Sequence, residues 1–364
     1  MKILTVIGAR PQFIKAATVS RELAKAGIQE VIVHTGQHFD HTMSKVFFDE
    51  MEIPHPNYNL EISGLNHGAM TGRMMEKIEE VLLSEKPDWV LVYGDTNSTL
   101  AGALAASKLH IPVAHVEAGL RSFEMKMPEE INRILTDRIS KLLFCPTPTA
   151  VKNLDREGFS YIDADVILSG DVMYDAVLYY KEKVKSLSTV LKKEKLSGQP
   201  FVLATLHRAE NTDDPNRLNQ ICDALNEIQK EIQVVLPLHP RTRATLKSQN
   251  INLLAKVIDP VGYFDMLALL EQCRLVMTDS GGLQKEAYFF NKFCITLRDQ
   301  TEWVELVEAQ ANFIVGADKD QIIRHFHEVL NKSFPAQDAM YGKGNAAGVI
   351  VENLRLKIED LKLE

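Results

Sequence analysis

The sequence has little cysteine, no excess of positive charge and no long apolar run, and each shortage removes a class of protein. Its four cysteines, Cys145, Cys222, Cys273 and Cys294, lie far apart and form no Cys-x-x-Cys pair. That spacing argues against a disulfide framework or a zinc site and for buried thiols in a reducing compartment. The formal net charge of −8 excludes a broad nucleic-acid footprint, because affinity for a polyanion comes from clustered lysine and arginine. No run approaches membrane-spanning length, and the apolar start "ILTVIG" is broken by Arg10 and Pro11 before the core of a signal peptide is complete. A cytoplasmic protein with neither a membrane nor a nucleic-acid partner is expected. A P-loop and a GxGxxG are also missing after the first apolar run, which disfavours a Walker-type ATPase or a standard NAD site. The nearest glycine fingerprint, "YGKGNAAG" from residue 341, follows no strand and reads as a loop entering a helix.

What the chain does have is alternation. Its 364 residues, 45% of them hydrophobic, suffice for two cores. The β-branched runs "KILTVI", "EVIVHT", "WVLVYG", "PVAHVE" and "KLLFCP" are interleaved with amphipathic helical segments, the pattern of a parallel sheet with helices on both faces. Pro11 suits the first turn of the first helix, and Gly27 stands where that helix should stop. A Lys- and Ser-rich segment, residues 179–200, interrupts the alternation, and "FVLATL", "IQVVLPL", "AKVIDP", "RLVMTD" and "FCITLR" resume it. The expected fold class is α/β, with two doubly wound Rossmann-like domains, 1–170 and 171–349, and a cleft at the carboxyl ends of their strands.

The polar motifs fall at those strand ends. "GARPQFIK" puts Gly8, Arg10 and Lys15 at a strand-to-helix turn, where close backbone approach, free N–H groups and two cations suit an anionic ligand. A capped turn with solvated charges fits that stretch equally well. "VYGDTNST", "HVEAGLRS" and "MPEEINR" bring Asp95, Glu117, Glu129 and Glu130 to successive strand or helix ends. Carboxylates converging on one cleft raise one another's proton affinity and can do acid–base work, whereas any one alone is more often a cap. In the second half, "TLHRAEN" and "PLHPRTR" supply His207, Arg208, His239, Arg241 and Arg243, types suited to proton transfer and to phosphate. No closely spaced His or Cys pair shares a turn, so zinc is disfavoured. "TDSGGLQKEA" could suggest a serine nucleophile, but it lacks a Gly-x-Ser-x-Gly elbow. Ser280, Gly281 and Gly282 instead open a helix, where a hydroxyl and backbone N–H groups can cradle a phosphate. "LRDQTEWVE" adds Arg298, Thr301, Glu302 and Glu305 to that rim, and Glu286 is placed either on a sugar hydroxyl or on the surface.

Taken in order, "GARPQFIK", "GDTNST", "HVEAGLRS", "PEEINR", "LHRAEN", "LHPR", "DSGG" and "RDQTEWVE" resemble, over nearly the whole chain, the non-hydrolysing UDP-N-acetylglucosamine 2-epimerase family. The resemblance implies a glycosyltransferase-B arrangement of the two domains, with the active site in the interdomain cleft and the last helix, about 350–364, packing back on the first domain. It implies that Arg10, Lys15, His239, Ser280, Gly281, Gly282 and Glu286 bind UDP. Asp95, Glu117, Glu129 and His207 would surround the sugar as catalytic groups, supported by Arg133, Arg208, Arg298 and Glu302. No cofactor and no metal is implied. C2 of a 2-acetamido sugar is not flanked by a carbonyl, so inversion would proceed by loss of UDP to a 2-acetamidoglycal and re-addition. Gln12, Phe13, Trp303 and Val304 depart from the commoner "GTRPE" and "ERPE", and in this the chain looks like enzymes that epimerise UDP-2,3-diacetamido-2,3-dideoxy-glucuronate for bacterial surface polysaccharides. UDP-GlcNAc/UDP-ManNAc epimerisation is the alternative, followed by a glycosyltransferase and a hydrolysing epimerase. The resemblance further implies a homodimer, and substrate activation through Gln37, Arg73 and Arg208.

Overall fold

The computed structural model describes residues 1–37, 51–335 and 339–361, with the side chains of Arg10 and residues 358–361 left out. The chain forms two compact units, one of Met1–Ala176 with Ala339–Glu364 and the other of Val177–Asp338. Both are α/β. In the first, seven strands, β1 (Lys2–Ile7), β2 (Gln29–His34), β3 (Tyr58–Asn59), β4 (Trp89–Tyr93), β5 (Val113–Val116), β6 (Leu142–Cys145) and β7 (Asp165–Leu168), pair in the order β3-β2-β1-β4-β5-β6-β7. In the second, β8 (Phe201–Thr205), β9 (Gln233–Pro237), β10 (Lys256–Ile258), β11 (Leu275–Thr278), β12 (Cys294–Thr296) and β13 (Asn312–Ile314) pair as β10-β9-β8-β11-β12-β13. All the pairings are parallel.

The central strands are largely apolar because both faces of each sheet are covered there. Ile3, Leu4, Val6 and Ile7 of β1 are all fully buried. The helix Asn97–Lys108 lies close against that strand because its sequence, NSTLAGALAASK, presents small residues. A Cβ on Gly102 would stand 3.0 Å from Val6 Cγ2. The first helix, Arg10–Lys25, has proline in its first turn, and Gly27 beyond it turns the chain at φ +68°. The helix Ala346–Leu361 packs on it, entered by the "YGKGN" loop, where Gly342 and Gly170 meet backbone against backbone.

Three strands escape the sequence reading. β3, β7 and β13 are short sheet edges, and their half-exposed residues carry no continuous apolar signal. The polar stretch after residue 179 is also more regular than its composition suggests, since the helix Val172–Leu187 runs into it.

Topology alone singles out two places. Strand order reverses between β1 and β4 in the first unit and between β8 and β11 in the second, and ligands of open parallel sheets bind outside the carboxyl ends of strands at such switch points. The turns there are "GARPQ" and "GDTNST" in one unit and "LHRAEN" and "DSGG" in the other.

Candidate active site

In the first unit the β1 turn is built differently from the sequence expectation. Gln12, almost fully buried, accepts the backbone N–H groups of Gly8 (2.8 Å) and Ala9 (3.0 Å) with Oε1. Its Nε2 donates to the Tyr93 carbonyl (2.7 Å) and to the Thr96 and Thr99 hydroxyls (3.0 and 2.9 Å). The amide therefore ties the β1 turn to the β4 turn and occupies N–H groups that were expected to be free. Gly8 is glycine for packing, because a Cβ would fall 2.0 Å from Thr35 Oγ1 and 2.2 Å from Ser98 Oγ.

Each of two candidate carboxylates meets its own cation. Asp95 Oδ2 accepts from Arg133 Nη2 at 2.7 Å, and Lys15 Nζ bonds and pairs with Glu117 Oε2. Arg133 is brought there by the helix Pro128–Ile139, from which Asn132 also donates to the Asp95 carbonyl (2.9 Å). The two glutamates of "PEEINR" separate. Glu130 is buried and accepts from Arg133 (2.5 Å) and the backbone of Ser122 and Phe123 (3.0 and 2.9 Å), holding the loop. Glu129, one residue earlier, is half-buried. Glu117 has φ +74° and Gly94 φ +63°, and a Cβ on Gly94 would lie 3.2 Å from Glu117 Oε2 and 3.3 Å from Lys15 Nζ. Glycine is what lets the Lys15–Glu117 pair lie across the β4 turn.

Gln37 lies on the same turn, its Oε1 accepting from the Ser98 N–H (3.1 Å) and hydroxyl (2.8 Å) at the start of the helix Asn97–Lys108. Arg73 is exposed on the helix His67–Glu85. The Arg10 side chain lies outside the described residues.

In the second unit a residue that the sequence reading did not select organises the site. Asp279, fully buried, accepts from the backbone of His207 (3.0 Å) and Arg208 (2.9 Å), and its Oδ1 lies 3.1 Å from His207 Nδ1. Burial would raise its carboxyl, but the His207 ring and these two backbone N–H groups outweigh that and hold it below its ordinary range. The signal was present in "TDSGG", where an acidic residue closes a strand beside a glycine pair. Ser280 stands at the N-cap of the helix Gly281–Phe289, although its side chain makes no cap bond. Gly281 passes directly under Glu302, whose Oε1 would be 2.2 Å from a Cβ there, while nothing lies within 4 Å of one on Gly282. Arg298, buried, donates to Glu302 (3.0 Å). Thr301 donates to Gln284 (2.6 Å) on that helix, and Trp303 donates from its indole to the Gly281 carbonyl (2.9 Å). Glu286 and Glu305 are buried, which removes the surface reading of Glu286. His239 is exposed and uses its ring to cap the helix Pro240–Ser248, while Arg241 and Arg243 make exposed pairs with Asp213 and Asp259.

All four cysteines are free and buried. Burial raises every thiol, that of Cys222, Cys273 and Cys294 to about 12. Among the described residues no group of His, Cys, Asp or Glu is arranged to hold a metal ion, and no helix is long and apolar enough to cross a membrane. A cavity of about 760 Å³ lined by Trp89, His110, Lys141 and Lys357 lies in the first unit at the amino ends of β4–β6, opposite the carboxyl-end turns of that sheet.

The arrangement thus offers cation–carboxylate pairs at one switch point and a helix start flanked by His, Arg and Glu at the other. The chain is 57% identical to UDP-2,3-diacetamido-2,3-dideoxy-D-glucuronate 2-epimerase of Pseudomonas aeruginosa, over 97% of this chain and 99% of that protein. It is 44% identical in sequence, with a TM-score of 0.90, to the crystal structure of UDP-GlcNAc 2-epimerase of Methanocaldococcus jannaschii in complex with UDP-GlcNAc and UDP, covering 98% of this chain and 100% of that one. The UDP-GlcNAc 2-epimerase of Neisseria meningitidis bound to UDP-GlcNAc is 33% identical with a TM-score of 0.87, at 97% and 99% coverage. Residues 21–355 match the profile of the UDP-N-acetylglucosamine 2-epimerase family, and with relatives of this identity along the full chain the protein belongs to that family and is an isomerase.

Proposed function

We propose that the protein inverts C2 of UDP-2,3-diacetamido-2,3-dideoxy-glucuronate without hydrolysing it. Removal of the C2 proton accompanies cleavage of the bond from C1 to the UDP oxygen. The bonding electrons leave with UDP, and C1 and C2 become doubly bonded. UDP then returns to C1 while a proton reaches C2 from the other face. Asp95, Glu117 and Glu129 share the proton transfers and stabilise positive charge at C1. Arg133 and Lys15 keep the first two of these carboxylates oriented through the pairs they form with them. Around the departing diphosphate, charge is neutralised by Arg10, Lys15, His239, Arg208 and the helix start at Ser280, Gly281 and Gly282, while Glu286 holds a UDP hydroxyl. His207, oriented by Asp279, is the second unit's proton-handling group. Arg298 and Glu302 support that rim.

The observation that carries the reading is the coincidence of the cation-paired carboxylates Asp95 and Glu117 with the β1/β4 switch point. The substrate choice is supported by the named Pseudomonas aeruginosa relative. Work in the cytoplasm, as a homodimer, on a precursor of bacterial surface polysaccharide, with substrate activation through Gln37, Arg73 and Arg208, belongs to the same reading.

The purified protein is incubated separately with this nucleotide sugar and with UDP-GlcNAc, and the coupling of the C2 proton is followed by NMR. Inversion of the diacetamido-uronate with UDP attached is expected. Turnover of UDP-GlcNAc alone would move the substrate to the alternative. Release of free sugar would make the enzyme hydrolysing, and no change in either would refute the reading.

A further inference from the structure

Behind the β4 turn lies a buried charge cluster for which the proposed mechanism has no use. His115, on β5, is fully buried. Its Nδ1 lies 2.7 Å from Asp137 Oδ1 and its Nε2 lies 2.7 Å from the Gly94 carbonyl oxygen. Neither oxygen has a hydrogen to give: the first belongs to a carboxylate and the second to a backbone carbonyl. A neutral imidazole has one ring nitrogen with a lone pair, and that lone pair would be pressed against an oxygen at 2.7 Å. Both contacts are hydrogen bonds only if both nitrogens donate.

The surroundings balance the resulting charge. Asp137, also fully buried, accepts with its second oxygen from Arg121 (2.8 Å) and from the Gly119 N–H (3.2 Å). Arg121 in turn grips Glu157 through Nε and Nη2 (2.6 and 2.8 Å). With His115 protonated, two cations, His115 and Arg121, would face two anions, Asp137 and Glu157, with the Lys15–Glu117 pair beside Gly94. A buried charge array is tolerated when every member is paired. His115 belongs to β5, Asp137 to the helix that carries Arg133, and Gly94 immediately precedes Asp95.

We propose that His115 is held as a doubly protonated imidazolium and is a positioning residue, fixing the Gly94 carbonyl and with it the turn that aims Asp95. The second ring proton is what distinguishes it from a packed core histidine: it is the only one that can reach Gly94 while the first is spent on Asp137. His115 itself moves no proton in the reaction. The positioning role rests on the epimerase reading, but the ring's charge does not.

The test begins with the ring nitrogens of the full chain, observed by ¹⁵N NMR at neutral pH and assigned by their loss in His115→Gln. Two N–H nitrogens are expected, and a single neutral tautomer would overturn the proposal. A doubly protonated ring in a chain that epimerises neither nucleotide sugar would defeat the functional reading and leave the ring's charge standing. In kinetics, His115→Gln can satisfy only one of the two oxygens. Its kcat per folded enzyme should fall about 10²-fold, the scale of a misplaced catalytic group, with KM changed less than about threefold. Unchanged kcat with a lowered Tm would make the residue merely structural. If that variant does not fold, Asp137→Asn keeps the shape and removes the charge. The ring should then lose one proton signal and kcat should fall similarly, whereas a ring still doubly protonated with normal kcat would overturn the proposal.

Discussion

Replacing Asp279 in two ways separates its effect on folding from its effect on His207. Its Oδ2 accepts from the N–H groups of His207 (3.0 Å) and Arg208 (2.9 Å) and from Asn211 Nδ2 (3.3 Å), while Oδ1 faces His207 Nδ1 at 3.1 Å. In Asp279→Ala the three donors at Oδ2 lose that acceptor. Each buried donor left without one costs about 1–3 kcal/mol, so with partial rescue by water the loss is about 3–5 kcal/mol. At about 2–4 °C per kcal/mol for a domain of this size, Tm should drop by roughly 6–20 °C. Asp279→Asn is different. Its amide oxygen can serve all three donors at Oδ2, so the stability loss should be about 1 kcal/mol. The amide N–H₂ then points at His207 Nδ1, which must accept instead of donate, leaving the ring hydrogen on Nε2. A histidine locked in the wrong tautomer loses its proton-handling role, and kcat should fall about 10²-fold or more. Calorimetry and the NMR turnover assay measure the two effects. If Asp279→Asn unfolds as readily as Asp279→Ala, or keeps normal turnover, the reasoning is refuted.

Other substitutions test the turns and the ionisation of buried groups. Gly281→Ala pushes a methyl into Glu302, 2.2 Å from the ideal Cβ, so it should disturb the Arg298–Glu302 pair and raise KM for the nucleotide sugar about tenfold. Gly282→Ala meets nothing within 4 Å and should stabilise the fold by up to about 1 kcal/mol of helix propensity. Equal behaviour of the two would contradict the geometry. Gln12→Leu removes both the acceptor of the Gly8 and Ala9 N–H groups and the donor to Tyr93, and should cost about 2–5 kcal/mol in urea unfolding. Acid titration should show opposing contributions. Burial raises Asp137, but His115 and Arg121 outweigh it and hold the group below its ordinary range. Its stabilisation is therefore complete above about pH 4 and is lost as pH falls through the lowered folded value. Asp175 is raised by burial despite the Ala347 and Ala346 N–H groups, so its share is largest below about pH 4 and is lost as pH rises toward its folded value. Asp175→Asn should consequently not lower Tm at pH 7, and a drop of several degrees would contradict that sign.

Much of this was legible from residue order. The continuous apolar runs of β1, β4, β5 and β8 identify buried parallel strands, and the polar residues that follow each run mark the carboxyl ends where function concentrates. Pairing was not legible. Nothing in "GARPQ" says that Gln12 will consume the Gly8 and Ala9 N–H groups, because its partners Tyr93, Thr96 and Thr99 lie more than eighty residues away. Likewise "PEEINR" offers two equivalent glutamates, and only the direction of helix Pro128–Ile139 turns Glu130 onto the Ser122 loop and brings Arg133 to Asp95. Nothing in the sequence sets His115 or Asp137 apart; the carboxylate and carbonyl at the two ring nitrogens emerge only when β4, β5 and that helix are packed.

Elimination and re-addition of UDP is the central claim, and acid-quenching the enzyme during turnover in deuterated water tests it most directly. The quenched mixture should contain equal small amounts of UDP and 2-acetamidoglycal, and the inverted product should carry one deuterium at C2. Inverted product that keeps its original C2 hydrogen, formed without either intermediate, would contradict the account.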